Sequence, residues 1–212
     1  MEQNEFLNAQ DSEPVKEPTD YDRTHIWQFS GVYDLPFGRA RRYGTDMSAA
    51  TDRLIGGWQV SWNVNWQSGR PLGTPGALEP IPGTSAKISN PTPDHWFNTC
   101  YVDTSGNLKA CQPGDSPVWR QRPQFTLRTT PHRFDDIRVP WRPTLDATLS
   151  KRFALPHGMR FDFRAEAFNL TNTAIFAAPN TNANEANFGK IPDPKESIYF
   201  PRNIQLGFKL FF

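Results

Sequence analysis

No stretch of this chain approaches the ~20 apolar residues that a membrane-crossing helix needs, which excludes a helical route through a bilayer. Cysteine occurs twice, methionine three times and histidine four times in 212 residues. The two cysteines have no second Cys or His pair at ligand spacing, so a metal site is not expected. Neither sign of charge dominates: 23 Lys+Arg face 22 Asp+Glu, a net charge of +1. That balance leaves no basic surplus of the kind that gathers nucleic acid. A glycine-rich phosphate loop is missing, and Ser48, Ser61 and Ser68 lack the context of a nucleophile elbow. The opening residues MEQNEFLNAQDSEPVKEPTD show no basic start followed by an apolar run, so no secretory leader is read there. A soluble chain and the tail end of a longer secreted one would both begin this way.

What is abundant is aromatic and turn-forming: Pro 20, Phe 16, Trp 7 and Tyr 5, in a chain whose mean hydropathy is -0.65. So many rings in so polar a chain point to apolar residues gathered on one face of strands, with polar connections between them. Period-two alternation carries that reading. From Gly57 to Gln67, Trp58, Val60, Trp62, Val64 and Trp66 fall on one face, and Gln59, Ser61, Asn63, Asn65 and Gln67 on the other. Met159, Phe161, Phe163, Ala165 and Ala167 likewise oppose Arg160, Asp162, Arg164 and Glu166. In the strand before it, 144–153, Leu145, Ala147, Leu149 and Phe153 oppose Asp146, Thr148, Ser150 and Arg152. Lys151 breaks that apolar face, close enough to a turn for its stem to snorkel. Residues 25–35 and 203–212 alternate less cleanly; the second sets Ile204, Leu206, Phe208, Leu210 and Phe212 against Asn203, Gln205, Gly207 and Lys209.

The pattern predicts an all-β chain of about five antiparallel strands, each near the 9–11 residues that cross a bilayer when tilted. Their connections are unequal. Leu155–Gly158 reads as a tight hairpin, and 36–55 is moderate and basic at Arg39, Arg41 and Arg42. Ser68–Pro143 and Thr171–Pro201 read as long loops, which compact soluble domains rarely carry without structure of their own. Outer-membrane barrels have this contrast of short periplasmic turns and long extracellular loops. With Phe212 periplasmic, both long loops and residues 1–21 fall outside. The expected lipid-facing set is Trp58, Val60, Trp62, Val64, Trp66, Phe161, Phe163, Ile204, Leu206 and Phe208. The organisation read from this is 1–21 as extracellular loop or disordered tail, and 22–212 as the C-terminal portion of a barrel. The alternative is a soluble secreted or periplasmic β-sandwich that encloses the Trp58/Trp62/Trp66 face in a core and binds ligand through its loops.

Two stretches carry a more specific resemblance. The last eight residues, Gln205-Leu-Gly-Phe-Lys-Leu-Phe-Phe212, resemble the signal by which the outer-membrane barrel assembly machinery recognises its substrates. Gln205, Gly207, Leu210 and Phe212 fill its polar, glycine, hydrophobic and terminal aromatic positions, with Gly207 expected to permit close backbone approach. Residues 22–212 resemble the C-terminal barrel of TonB-dependent receptors of the Oar-like type. The matching stretches are His25-Ile-Trp-Gln-Phe-Ser-Gly-Val-Tyr-Asp-Leu-Pro-Phe-Gly38, Gly56-Gly-Trp-Gln-Val60 with Ser68-Gly-Arg-Pro71, Phe163-Arg-Ala-Glu-Ala-Phe-Asn-Leu-Thr-Asn172 and Pro201-Arg-Asn-Ile-Gln-Leu-Gly207.

The resemblance implies a partial barrel wall with outer-membrane lipid and the assembly machinery as partners. TonB would be reached only through N-terminal regions this sequence does not contain, and the extracellular solute is not specified. It implies no enzyme activity and no cofactor. An oxidising compartment would favour a Cys100–Cys111 disulfide across the Asp103-Thr-Ser-Gly-Asn107 turn, with two free thiols as the alternative. Asp162 and Glu166, interleaved with Arg160 and Arg164, read as ion-paired lumen groups rather than an acid–base pair. His25, His95, His132 and His157 read as solvated loop or strand-end residues.

Overall fold

The computed structural model describes residues 2–7, 13–39, 41–192 and 201–212. Parts of the 1–21 segment and of the second long connection, at 1, 8–12 and 193–200, lie outside the described residues. Along the chain run β1 (Glu2–Glu5), β2 (Val15–Pro18), β3 (Ile26–Asp34), helix α1 (Ala49–Ile55), β4 (Trp58–Gln67), β5 (Pro71–Gly73), β6 (Leu78–Pro80), β7 (Tyr101–Val102), β8 (Leu108–Lys109), β9 (Trp119–Gln121), β10 (Arg133–Arg138), β11 (Arg142–Ala154), β12 (Arg160–Phe168) and β13 (Asn203–Phe211). They divide into two compact units.

One unit comprises residues 26–67, 142–174 and 199–212. It is a five-stranded antiparallel sheet in the order β13-β12-β11-β4-β3, and these are the five strands that alternation predicts. At ~3.3 Å per residue a ten-residue strand reaches about 33 Å, or roughly 23 Å of depth when tilted near 45°, close to the ~25 Å apolar band of an outer-membrane barrel. The β11–β12 turn is tight: a 3-10 turn at Pro156–Gly158 is closed by Leu155 N–H to Met159 O at 2.9 Å. His157 adopts φ 59° there. The β3–β4 connection departs from the loop expected, because it contains α1. Ser48 caps that helix by accepting from Thr51 N–H at 3.2 Å, which satisfies one of the free donors of its first turn.

The other unit comprises residues 1–25, 68–141 and 175–198, and it corrects the reading of the first long connection as a loop. β6, β9, β7 and β8 form one sheet, with β7 and β9 parallel; β5 pairs with β10, and β1 with β2. Its core gathers Leu72, Leu78, Phe97, Val118, Trp119, Phe134, Ile137 and Phe188, each fully buried side chain contributing about 1.5–3 kcal/mol. Phe97 is the hub. Its ring meets Phe134 at 5.8 Å and Phe188 edge-on at 5.6 Å. The irregular backbone is satisfied by side chains: Asn98 accepts from Cys100 N–H and donates to Ser116 O, and Trp119 Nε1 donates to Asn98 O. This satisfies polar groups that burial would otherwise strand.

Candidate functional site

Directly opposed residues of an antiparallel pair share a face, so the registers show what the five-stranded sheet presents on each side. β4 against β11 pairs Trp58 with Lys151, Val60 with Leu149, Trp62 with Ala147, Val64 with Leu145 and Trp66 with Pro143. β11 against β12 adds Phe163 opposite Lys151 and Phe161 opposite Phe153. β12 against β13 adds Phe208, Leu206 and Ile204 opposite Phe163, Ala165 and Ala167. On the far side β3 sets Trp27, Phe29, Gly31 and Tyr33 beside Trp66, Val64, Trp62 and Val60. The ten residues expected to meet lipid therefore lie on one continuous apolar face.

Among the described residues, that face keeps large side chains exposed. Trp27 is 67% exposed, Phe208 63% and Trp66 50%. Among the described residues, every buried hydrophobic side chain belongs to the other unit. A soluble sandwich requires a second apolar layer that buries Trp58, Trp62 and Trp66, and none of the three is buried. The face also depends on a glycine. A Cβ added at Gly31 would lie 2.4 Å from the Trp62 ring, so only glycine lets that indole spread over β3. Sequence alternation alone carries no sign of this cross-strand contact.

The opposite face is polar. Gln59, Ser61, Asn63, Asn65 and Gln67 share rows with Ser150, Thr148, Asp146, Thr144 and Arg142. Asp162 Oδ1 faces Arg152 Nε at 3.4 Å and Arg160 Nε at 3.2 Å, while Glu166 faces Arg164 at 3.3 Å and accepts from Gln205. Asp146 instead accepts from Asn169 N–H at 2.9 Å. Such exposed pairs contribute about 0–1 kcal/mol each, so their consequence is a wetted wall rather than stability. Asp162 and Glu166 stand about 13 Å apart along one strand. That is wider than the ~5–9.5 Å separation of paired carboxylates in glycosidases.

Lys151, on the apolar face, is only 5% exposed. Its Nζ donates to Gly56 O and lies 5.4 Å from the Trp58 ring centroid and 4.9 Å from that of Phe153. The stem crosses apolar surface and the ammonium ends buried on a carbonyl at the sheet's end, so the charge is satisfied by backbone rather than carried out to water as snorkelling would have it. In β13, Gln205 and Gly207 face Glu166 and Arg164 across the ladder, and Leu210 faces Phe161. A Cβ at Gly207 would sit 3.6 Å from Arg164 Cβ, an ordinary contact. Close approach to β12 is therefore not what calls for glycine there.

In the other unit a disulfide joins Cys100 to Cys111. Between them β7 and β8 pair around the turn, where Asp103 accepts from Ser105 and Asn107 N–H groups at 2.8 Å each. The Asn107 and Ser105 backbone donors hold the Asp103 carboxyl below its ordinary range. Residues 13–25 are tied into the same unit by groups that sequence reasoning missed. Glu17 is buried and accepts from Arg133 Nη1 and His132 N–H at 2.6 Å each; Asp22 pairs with Arg138 at 2.6 Å. With more than 100 residues between partners, no local signal could have announced them. His95 faces Asp115 at 3.2 Å rather than standing solvated. No group of three or more His, Cys, Asp or Glu able to hold a metal ion occurs among the described residues.

Neither a curated protein nor a solved structure matches the chain. A family model does, described as an outer membrane beta barrel domain and matching residues 2–205. The exposed apolar face, the wetted opposite face and this match over nearly the whole length agree: the chain belongs to the outer membrane beta barrel domain family, and its place is the bacterial outer membrane.

Proposed function

We propose that this chain is the C-terminal barrel portion of a TonB-dependent receptor of the Oar-like type, a scaffold for solute transport rather than an enzyme. The observation that carries this reading is the sheet itself. Five strands run in simple antiparallel order with β3 and β13 paired on one side only among the described residues. The smallest single-chain barrels need about eight strands, so this sheet is a section of a larger wall. Receptors of this kind have about 22. The polar face lines the lumen, the apolar face meets lipid, and the 68–141 unit and its disulfide stand at the extracellular side. Gln205, Gly207, Leu210 and Phe212 serve the assembly machinery, and that recognition is the reason for glycine at 207 that the β12 contact does not supply. TonB engages regions of the receptor outside this sequence.

The test is to purify from outer membranes the native product that carries this sequence, together with any regions continuous with it, and measure the composition of its barrel. One copy of the chain per barrel, with TonB co-purifying, is the expected result. Several copies completing one barrel, or a barrel indifferent to TonB, would contradict the receptor reading and leave the family assignment standing.

A further inference from the structure

The β3–β4 connection is far longer than a barrel turn requires, and its surface is amphipathic in a way the wall does not use. Leu54 is 70% and Ile55 48% exposed at the end of α1, and Tyr43 is 50% exposed. Arg39, Arg42 and Arg53 are exposed on the same connection, with the Arg42 guanidinium 5.5 Å from the Tyr43 ring centroid. The segment is built rather than loose. Gly38 N–H donates to Tyr43 O and Tyr43 N–H to Pro36 O, each at 2.9 Å, and Asp52 accepts from Arg39 N–H at 2.8 Å, tying this turn to the helix. Trp58 Nε1 donates to Leu54 O at 2.9 Å, and Lys151 Nζ reaches Gly56 O from the apolar face. The exposed end of α1 therefore continues the lipid-facing side of the sheet and not its lumen side.

We propose that residues 37–39 and 41–55 form an interfacial collar that binds the anionic phospholipid headgroups of the periplasmic leaflet. Leu54, Ile55 and Tyr43 enter the headgroup boundary, and the three arginines pair with phosphates. Two arguments commit the surface to lipid. It is continuous with the apolar face of the sheet through Trp58 and Lys151, and its cations complement an anionic bilayer surface, the pairing by which basic amphipathic segments lie in an interface. The fourth arginine, Arg41, is turned elsewhere, toward Asp34 at 3.5 Å. This inference rests on the apolar face of the sheet meeting lipid.

The experiment places an environment-sensitive thiol-linked fluorophore at Leu54→Cys in the full chain, with the native cysteines held in their disulfide. A second preparation carries it at Val64→Cys, in the wall. Both are reconstituted in phosphatidylethanolamine vesicles with and without phosphatidylglycerol. The expected result is quenching at 54 by lipids bearing a nitroxide just below the headgroup, blue-shifted emission when phosphatidylglycerol is present, and loss of that shift in the Arg39→Glu/Arg42→Glu/Arg53→Glu variant. Quenching at 64 but only by aqueous iodide at 54 would overturn the collar and leave the wall intact. Protection from nitroxide lipids at both positions would overturn the wall and the collar together. Quenching at 54 that ignores phosphatidylglycerol would overturn the assignment of anionic headgroups.

Discussion

Trp62 joins three requirements at one position: it faces Ala147 across the β4–β11 ladder, spreads over Gly31 of β3, and stands on the apolar face. Its neighbour Asn63 faces Asp146 on the wet side. Replacing Trp62 by Lys should destabilise the lipid-embedded sheet by roughly 2–4 kcal/mol, the cost of a cation facing lipid near the midplane. Asn63→Lys should cost far less, since its charge meets water and Asp146. Denaturant titration of both variants in the same vesicles decides this, and equal losses would reverse the facing assignment. In the other unit, Glu17 is the residue with most to lose. Its carboxylate is buried against Arg133, and Glu17→Leu leaves that guanidinium without its buried partner. Breaking a buried pair costs about 3–5 kcal/mol, so limited proteolysis should cut the variant within 68–141 far faster than the native chain. An unchanged cleavage rate would show that the N-terminal segment contributes nothing to this unit.

Among the elements, legibility in the sequence follows the range of the forces involved. β4, β11 and β12 announce themselves because each strand alternates within itself, Trp58 through Trp66 above all. The strands of the second unit are two to six residues long, too short for a period to register. Their core joins Leu72, Phe97, Trp119, Phe134 and Phe188 across spans that no local pattern encodes. Helix α1 escapes for another reason: seven residues with no buried side chain leave no apolar stripe to read. Its one local signal was Ser48 as a cap. The Cys100–Cys111 disulfide is a covalent constraint on the second unit. Closing so short a loop stabilises by about 2–3 kcal/mol in the chain-entropy model. Reduction should therefore lower the melting temperature of this unit by several degrees, with the strand signal of the sheet unchanged. Simultaneous loss of both would show that the sheet depends on the disulfide.

For the molecule as a whole, the distribution of burial is the decisive fact. Among the described residues the buried hydrophobic side chains all lie in one unit, while the five-stranded sheet leaves its large apolar side chains half-buried or exposed. In water such a sheet would expose apolar rows and unpaired edges, a combination that drives aggregation. In a bilayer the same rows are solvated by lipid, and closure into a barrel is what satisfies such edges. The measurement that tests this most directly is a spin-label scan of β4, residues 58–67 one at a time, in reconstituted membranes. Accessibility to oxygen should peak at 58, 60, 62, 64 and 66, and accessibility to a water-soluble nickel chelate at 59, 61, 63, 65 and 67. A scan without this period of two, or with the even positions shielded from both reagents, would contradict a lipid-facing barrel wall.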